Sequence, residues 1–189
     1  MSTPIKTHQI RRVAVLGSGV MGSAIACHLA QTGSEVLLLD LPSKEGPRNS
    51  PAEGALKASL KSKPAPLYSK RFVKRIECGN FDDDLSRIAE CDWIIEVIVE
   101  RLDIKQQLFE RVEKYRKPGT LITSNTSGIP ISQLSEGRSE DFQKHFAVTH
   151  FFNPPRYLKL FEVVPGPNCK QEVTDFLMMY GDKFLGKTS

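Results

Sequence analysis

The 189-residue sequence has no apolar run near the ~18–20 residues of a membrane span, so no membrane-crossing helix is expected. Its N-terminus is polar and does not read as a signal peptide. The four cysteines, Cys27, Cys78, Cys91 and Cys169, are scattered without a CxxC pair or other ligand spacing. That pattern predicts no metal, reduced thiols and a cytoplasmic setting. Charge of one sign is also scarce: a net charge of +4 is too mild to imply a nucleic-acid partner. Internal repeats and low-complexity tracts are missing as well. What remains, 40% apolar and 25% charged residues, describes an ordinary globular chain of one domain or slightly more.

Within that composition, strands and helices alternate. "RRVAVLG" (11–17) is a β-branched run entering glycine, a buried strand, and 20–31 has a helical pattern ended by Gly33. "EVLLLD" (35–40) is a second strand, 41–50 a loop, and 51–63 a helix with Pro51 in its first turn. Short strand and helix patterns follow at 75–79 and 84–90. "DWIIEVIVE" (92–100) reads as one apolar strand, 103–116 as an amphipathic helix and "TLITSN" (120–125) as a strand. A loop and a polar helical stretch lead to the strands "FAVTH" and "LKLFEVV" and a final helix over 170–184. This alternation predicts an α/β fold: a doubly wound, mostly parallel sheet with helices on both faces. The chain stops after that helix, where a further strand is expected.

Between the first strand and first helix, Gly17, Gly19 and Gly22 form a GxGxxG pattern. The first glycine permits a tight turn, the second lets a pyrophosphate approach the backbone, and the third lets helix and strand pack closely. The helix N-terminus then offers free N–H groups to the phosphates. Asp40 ends the second strand 18 residues after Gly22, placed to accept ribose hydroxyls and repel a 2′-phosphate. The expected cofactor is therefore NAD rather than NADP. The plainer alternative is a βαβ unit with a glycine-rich turn. "NTSG" (125–128) follows a parallel strand at the ligand-binding edge; Ser127 either donates to a substrate oxygen or caps a turn.

"THFFNPPRYLKLFEVV" (149–164) sets His150 at a strand end and Glu162 within the next apolar strand. Histidine suits proton transfer near neutral pH, and a carboxylate on its other ring nitrogen fixes the tautomer. A glutamate buried in an apolar strand is costly without such a partner. Taken singly, His150 also fits a satisfied strand-end histidine, and Glu162 an edge-strand charge. His28 and His145 lie in helical or polar settings without comparable context, and His8 lies in the N-terminal tail.

"GSGVMGSAIA", "IVERLDIKQQLF", "SNTSGI" and "HFFNPPRYLKLFEVV" together resemble the NAD-binding domain of the 3-hydroxyacyl-CoA dehydrogenases of fatty-acid β-oxidation. The resemblance runs from about residue 10 to the end, in the family's order. It implies a Rossmann-like domain and reversible oxidation of an L-3-hydroxyacyl-CoA to the 3-ketoacyl-CoA. By that resemblance His150 is the base, Glu162 its orienting acid, and Ser127 a contact to substrate and cofactor. Val20 and Met21 belong to the glycine loop, and Asp40 is the ribose acid. Glu100, Lys105 and Asn153 line the nicotinamide half of the site.

Members of that family carry a helical C-terminal domain that closes over the acyl-CoA and forms a homodimer. No part of residues 1–189 matches it, so the expectation is an N-terminal NAD-binding portion that binds NAD and turns over poorly. The segment 57–75 holds seven basic residues and no acidic one. It is either a solvated surface or, through Lys70, Arg71 and Lys74, a contact for the phosphates of coenzyme A. Two alternatives stand beside the dehydrogenase reading: a Rossmann dehydrogenase of another hydroxyacid, and a non-catalytic nucleotide-binding module. A lysine base, expected for the first, is not what the His150–Glu162 pattern suggests.

Overall fold

A computed structural model describes residues 10–189, which leaves His8 outside the described residues. Its strands are β1 (Arg12–Leu16), β2 (Glu35–Asp40), β3 (Ile76–Asn80), β4 (Trp93–Glu96), β5 (Leu121–Ser124), β6 (Phe146–Phe151) and β7 (Phe161–Pro165). They form one seven-stranded sheet in the order β3-β2-β1-β4-β5-β6-β7. β1 to β6 pair in parallel, and β7 returns antiparallel to β6. The link between β6 and β7 is too short for the dozen or more residues that a parallel crossover needs, so the chain turns back.

The helices are α1 (Val20–Thr32), α2 (Ser50–Ser59), α3 (Leu102–Tyr115), α4 (Ile131–Ser135), α5 (Glu140–Lys144) and α6 (Gln171–Lys183). Alternation along each strand divides the core between the two faces. Val13, Val15, Trp93 and Ile95 pack with Ile25 and Leu29 of α1 and Leu177 and Tyr180 of α6. Ala14, Leu16, Ile94 and Ile122 pack with Phe109 and Val112 of α3 and Phe142 of α5. Both faces being covered, strands read as continuous apolar runs. α1 closes at Gly33, whose φ of 116° lets Gly33 and Ser34 N–H reach back to Ala30 and Leu29 carbonyls.

The predicted α/β architecture is present, with several boundary corrections. The run 92–100 is a strand only over Trp93–Glu96. At Val97 the backbone meets the β1 turn: a Cβ on Gly17 would lie 2.7 Å from the Val97 carbonyl. The chain therefore leaves the sheet, and its apolar remainder, with Val99 57% exposed, lines a cleft instead of the core. The segment 84–90 is a 3-10 helix over Leu85–Glu90, and the 51–63 helix is Ser50–Ser59. After α6 the chain turns at Gly186 and forms a single parallel bridge, Leu160 to Thr188.

Candidate active site

The glycine turn shows why Gly17 and Gly22 must be glycine. Gly17 has φ of 108° and donates its N–H to the Leu39 carbonyl at 2.7 Å. A Cβ on Gly22 would lie 1.8 Å from the Gly17 carbonyl oxygen, so α1 packs on β1 only without one. A Cβ on Gly19 would meet nothing within 4 Å and would project into open space. α1 begins there without a side-chain cap and without an acid in its first turn. Its first N–H groups have no helical carbonyl to bind and face outward with the helix dipole, which fits a pyrophosphate.

Asp40 ends β2 beside this turn. One carboxylate oxygen accepts the Ser18 N–H at 2.7 Å and the Ser18 hydroxyl; the other accepts the Leu41 N–H at 2.7 Å. These donors orient the acid at the rim of a cavity of about 380 Å³ lined also by Gly17, Gly19, Phe81 and Val97.

A second cavity, about 360 Å³, is lined by Met21, Glu100, Asn125, Ser127, His150 and Asn153 among others. These come from the α1 N-terminus, from the end of β6 and from the loops after β4, β5 and β6, all at the carboxyl edge of the sheet. His150 Nδ1 lies 2.9 Å from Glu162 Oε2 across the β6–β7 ladder, where the two residues are register partners. With Nδ1 donating to the carboxylate, Nε2 is left as the acceptor. The Phe152 ring lies 4.4 Å from the imidazole, centroid to centroid. Glu162 is not buried as its apolar context suggested: its side chain is 50% exposed, because β7 is an edge strand that turns only Phe161 firmly into the core.

Glu100 organises the loop after β5. One oxygen accepts the Thr126 hydroxyl and the N–H groups of Ser127 and Gly128, each of the latter at 3.1 Å. Partial burial works to raise its carboxyl, but Thr126, these N–H groups and Lys105 together bring it down to about 2. The turn is braced by Thr126, whose hydroxyl also accepts the Ile129 N–H at 3.2 Å, so Ser127 is not the cap. Ser127 itself lines the cavity.

Lys105 is placed differently from its predicted role. It is 1% exposed, with Nζ 2.6 Å from Glu96 Oε1 and 3.3 Å from Glu100 Oε2, and so stands behind Glu100 rather than at the cavity wall. Two partners escaped sequence reasoning. Asn125 Oδ1 accepts the Phe151 N–H at 2.8 Å and fixes the strand end that carries His150. Glu96 was visible only as a charge inside an apolar run, nine residues before Lys105.

A third space, a groove of about 420 Å³, runs between α1, α2 and the Asn153–Arg156 segment. Asn153 lines both this groove and the His150 cavity, and Val20, Ser59 and Lys63 stand along it. Lys70, Arg71 and Lys74 line neither. They occupy a 3-10 turn (Lys70–Arg75) just before β3, at the amino edge of the sheet, where Arg75 donates to the Ala30 carbonyl near the end of α1. The length of α1 separates them from the glycine turn, about 20 Å at 1.5 Å per residue.

The parallel order, the glycine turn below an uncapped helix and the acid closing β2 define a dinucleotide-binding domain of the Rossmann type. Comparison with known proteins narrows the class. Residues 12–189 match the model of the family described as 3-hydroxyacyl-CoA dehydrogenase, NAD binding domain. A Bacillus subtilis protein named a probable 3-hydroxyacyl-CoA dehydrogenase is 45% identical, over 94% of this chain and 24% of its own length. The mitochondrial hydroxyacyl-coenzyme A dehydrogenase of Sus scrofa is 35% identical, over 94% of this chain and 57% of its own. The crystal structure of 3-hydroxybutyryl-CoA dehydrogenase from Escherichia coli superposes with a TM-score of 0.80 at 33% identity, covering 96% of this chain and 38% of that one. The chain belongs to the 3-hydroxyacyl-CoA dehydrogenase family, of which it carries the NAD-binding domain. It spans between about a quarter and somewhat over half of these relatives' lengths.

Proposed function

We propose that this domain serves the reversible, NAD-dependent oxidation of an L-3-hydroxyacyl-CoA to the 3-ketoacyl-CoA in fatty-acid oxidation. The observation that carries the reading is the His150–Glu162 pair at 2.9 Å, with His150 lining a cavity that shares Val97 and Ile98 with the cavity beside the glycine turn. His150 Nε2 takes the proton of the 3-hydroxyl, and Glu162 holds Nδ1–H and stabilises the imidazolium that results. Ser127 donates a hydrogen bond to the reacting oxygen. NAD, when bound, supplies the hydride acceptor. Gly17, Gly19, Gly22 and the first turn of α1 hold its pyrophosphate, Asp40 its adenosine ribose, and Glu100 and Asn153 flank its nicotinamide half. The thioester arm lies along the groove past Asn153, with Lys63 at its rim.

The test is acetoacetyl-CoA-dependent oxidation of NADH, with NAD affinity measured alongside. This domain alone is expected to bind NAD with slow turnover. His150→Gln is expected to lower turnover by about 10²–10⁴-fold at unchanged NAD affinity; undiminished turnover would overturn the assignment.

A further inference from the structure

Glu96 has no part in the chemistry just described, yet its carboxylate is fully buried at the end of β4. It accepts from Lys105 Nζ at 2.6 Å, from the Ile98 N–H at 2.7 Å and from the Ser124 hydroxyl. Burial holds its carboxyl above the usual carboxylate range, outweighing the Lys105 charge and these donors, which act the other way and keep it paired as an ion. Three donors converging on one carboxylate favour its ionised form.

Lys105 is shared: the same ammonium lies 3.3 Å from Glu100 Oε2. One cation thus serves two carboxylates, and the unit keeps one surplus negative charge. Of the three, only Glu100 reaches the His150 cavity, its side chain 42% exposed. Among the described residues no lysine or arginine lines that cavity, and its other titratable residue, His150, is backed by the Glu162 carboxylate. The wall therefore presents unbalanced negative charge, with buried protein rather than water behind it.

We infer that Glu96, Lys105 and Glu100 act as one charge unit that selects the oxidised, cationic nicotinamide over the reduced, neutral one, with Glu96 supplying the surplus charge. The inference rests on the reading that the nicotinamide ring occupies the His150–Glu100 cavity. Oxidised and reduced cofactor share their phosphates and riboses and differ chiefly in the ring's charge. Their affinity ratio therefore isolates the effect.

The experiment measures Kd for NAD⁺, NADH and ADP-ribose by calorimetry on the chain and its variants, with thermal melting to confirm folding. Glu96→Gln makes the unit neutral and is expected to lower Kd(NADH)/Kd(NAD⁺) by about three- to tenfold. Adding Lys105→Met returns one negative charge to the unit and is expected to restore the ratio. A merely structural role would leave the double variant no better than the single. Should Glu96→Gln not fold, Lys105→Met alone leaves the buried Glu96 without its cation, so that it takes up a proton and the unit keeps one negative charge, on Glu100; the ratio is expected not to fall, and a lowered ratio overturns the inference. Glu100→Gln separates the two layers. If it changes neither NAD⁺ nor NADH affinity relative to ADP-ribose, the ring is not in this cavity and the underlying reading falls. If it shifts the ratio while Glu96→Gln does not, only the charge unit falls.

Discussion

His150 and Glu162 face one another as register partners in the antiparallel pairing of β6 with β7, Nδ1 to Oε2 at 2.9 Å. The rest of the sheet pairs in parallel, so the short return after β6 is what brings an acid opposite the histidine. Glu162→Gln keeps a hydrogen-bond acceptor but removes the charge that stabilises the imidazolium. Turnover is expected to fall by about ten- to a hundredfold, less than the ~10²–10⁴-fold loss for His150→Gln. Initial rates with acetoacetyl-CoA and NADH check the order; equal rates for Glu162→Gln and the parent would remove the orienting role.

Gly19 and Gly22 should fail in different ways. Gly22→Ala drives a methyl to 1.8 Å from the Gly17 carbonyl and should destabilise the fold by about 1–3 kcal/mol or more. Gly19→Ala projects into open space and should leave thermal stability unchanged. It intrudes where the pyrophosphate approaches, so NAD affinity is expected to fall at least about tenfold. Melting curves and NAD titrations of both variants distinguish the two; a large loss of melting temperature in Gly19→Ala would contradict this division.

His28 gives the fold an acid limit. Burial first, and then the Lys187 charge, lower its pKa from 6.5 to about 4. Above pH 6.5 both folded and unfolded chains hold a neutral imidazole, and this group adds no pH dependence. Between 6.5 and about 4 the unfolded chain takes up a proton that the folded one refuses, so stability falls as pH falls. The loss amounts to about 3 kcal/mol by pH 4. Urea unfolding of the parent and His28→Gln at pH 7 and pH 4.5 measures it: the parent should lose about 2–3 kcal/mol more than the variant.

The basic segment separates into two parts. Lys63 stands on the groove that leads to Asn153, whereas Lys70, Arg71 and Lys74 lie at the opposite edge of the sheet. Lys63→Ala is expected to weaken acyl-CoA binding by about three- to tenfold and to leave NAD affinity unchanged. The Lys70/Arg71/Lys74 triple alanine variant is expected to weaken it less. A larger loss in the triple variant, measured by acyl-CoA titration, would return the phosphate contact to those three residues.

Much of this architecture is legible in the sequence because it follows from local backbone chemistry. Apolar strand runs, glycines at Gly17 and Gly22, and Gly33 after the last turn of α1 each answer a constraint met within a few residues. His150 and Glu162 stood out for a related reason, as polar groups in apolar runs. Where the "DWIIEVIVE" run stops being strand was not legible, because its end is set by contact with the Gly17 turn, some eighty residues earlier in the chain.

The sequence by itself determined the alternation of strands and helices, the phosphate-binding turn and the residues able to do acid–base chemistry. Tertiary structure decided which of these meet. It buried Lys105 between Glu96 and Glu100, left Glu162 half exposed on an edge strand, and carried Lys70, Arg71 and Lys74 away from the cleft. The reason is physical: periodicity is a property of neighbouring residues, but charge pairing depends on distance in space. Here that distance is set where six parallel strands bring the loops at their carboxyl ends together.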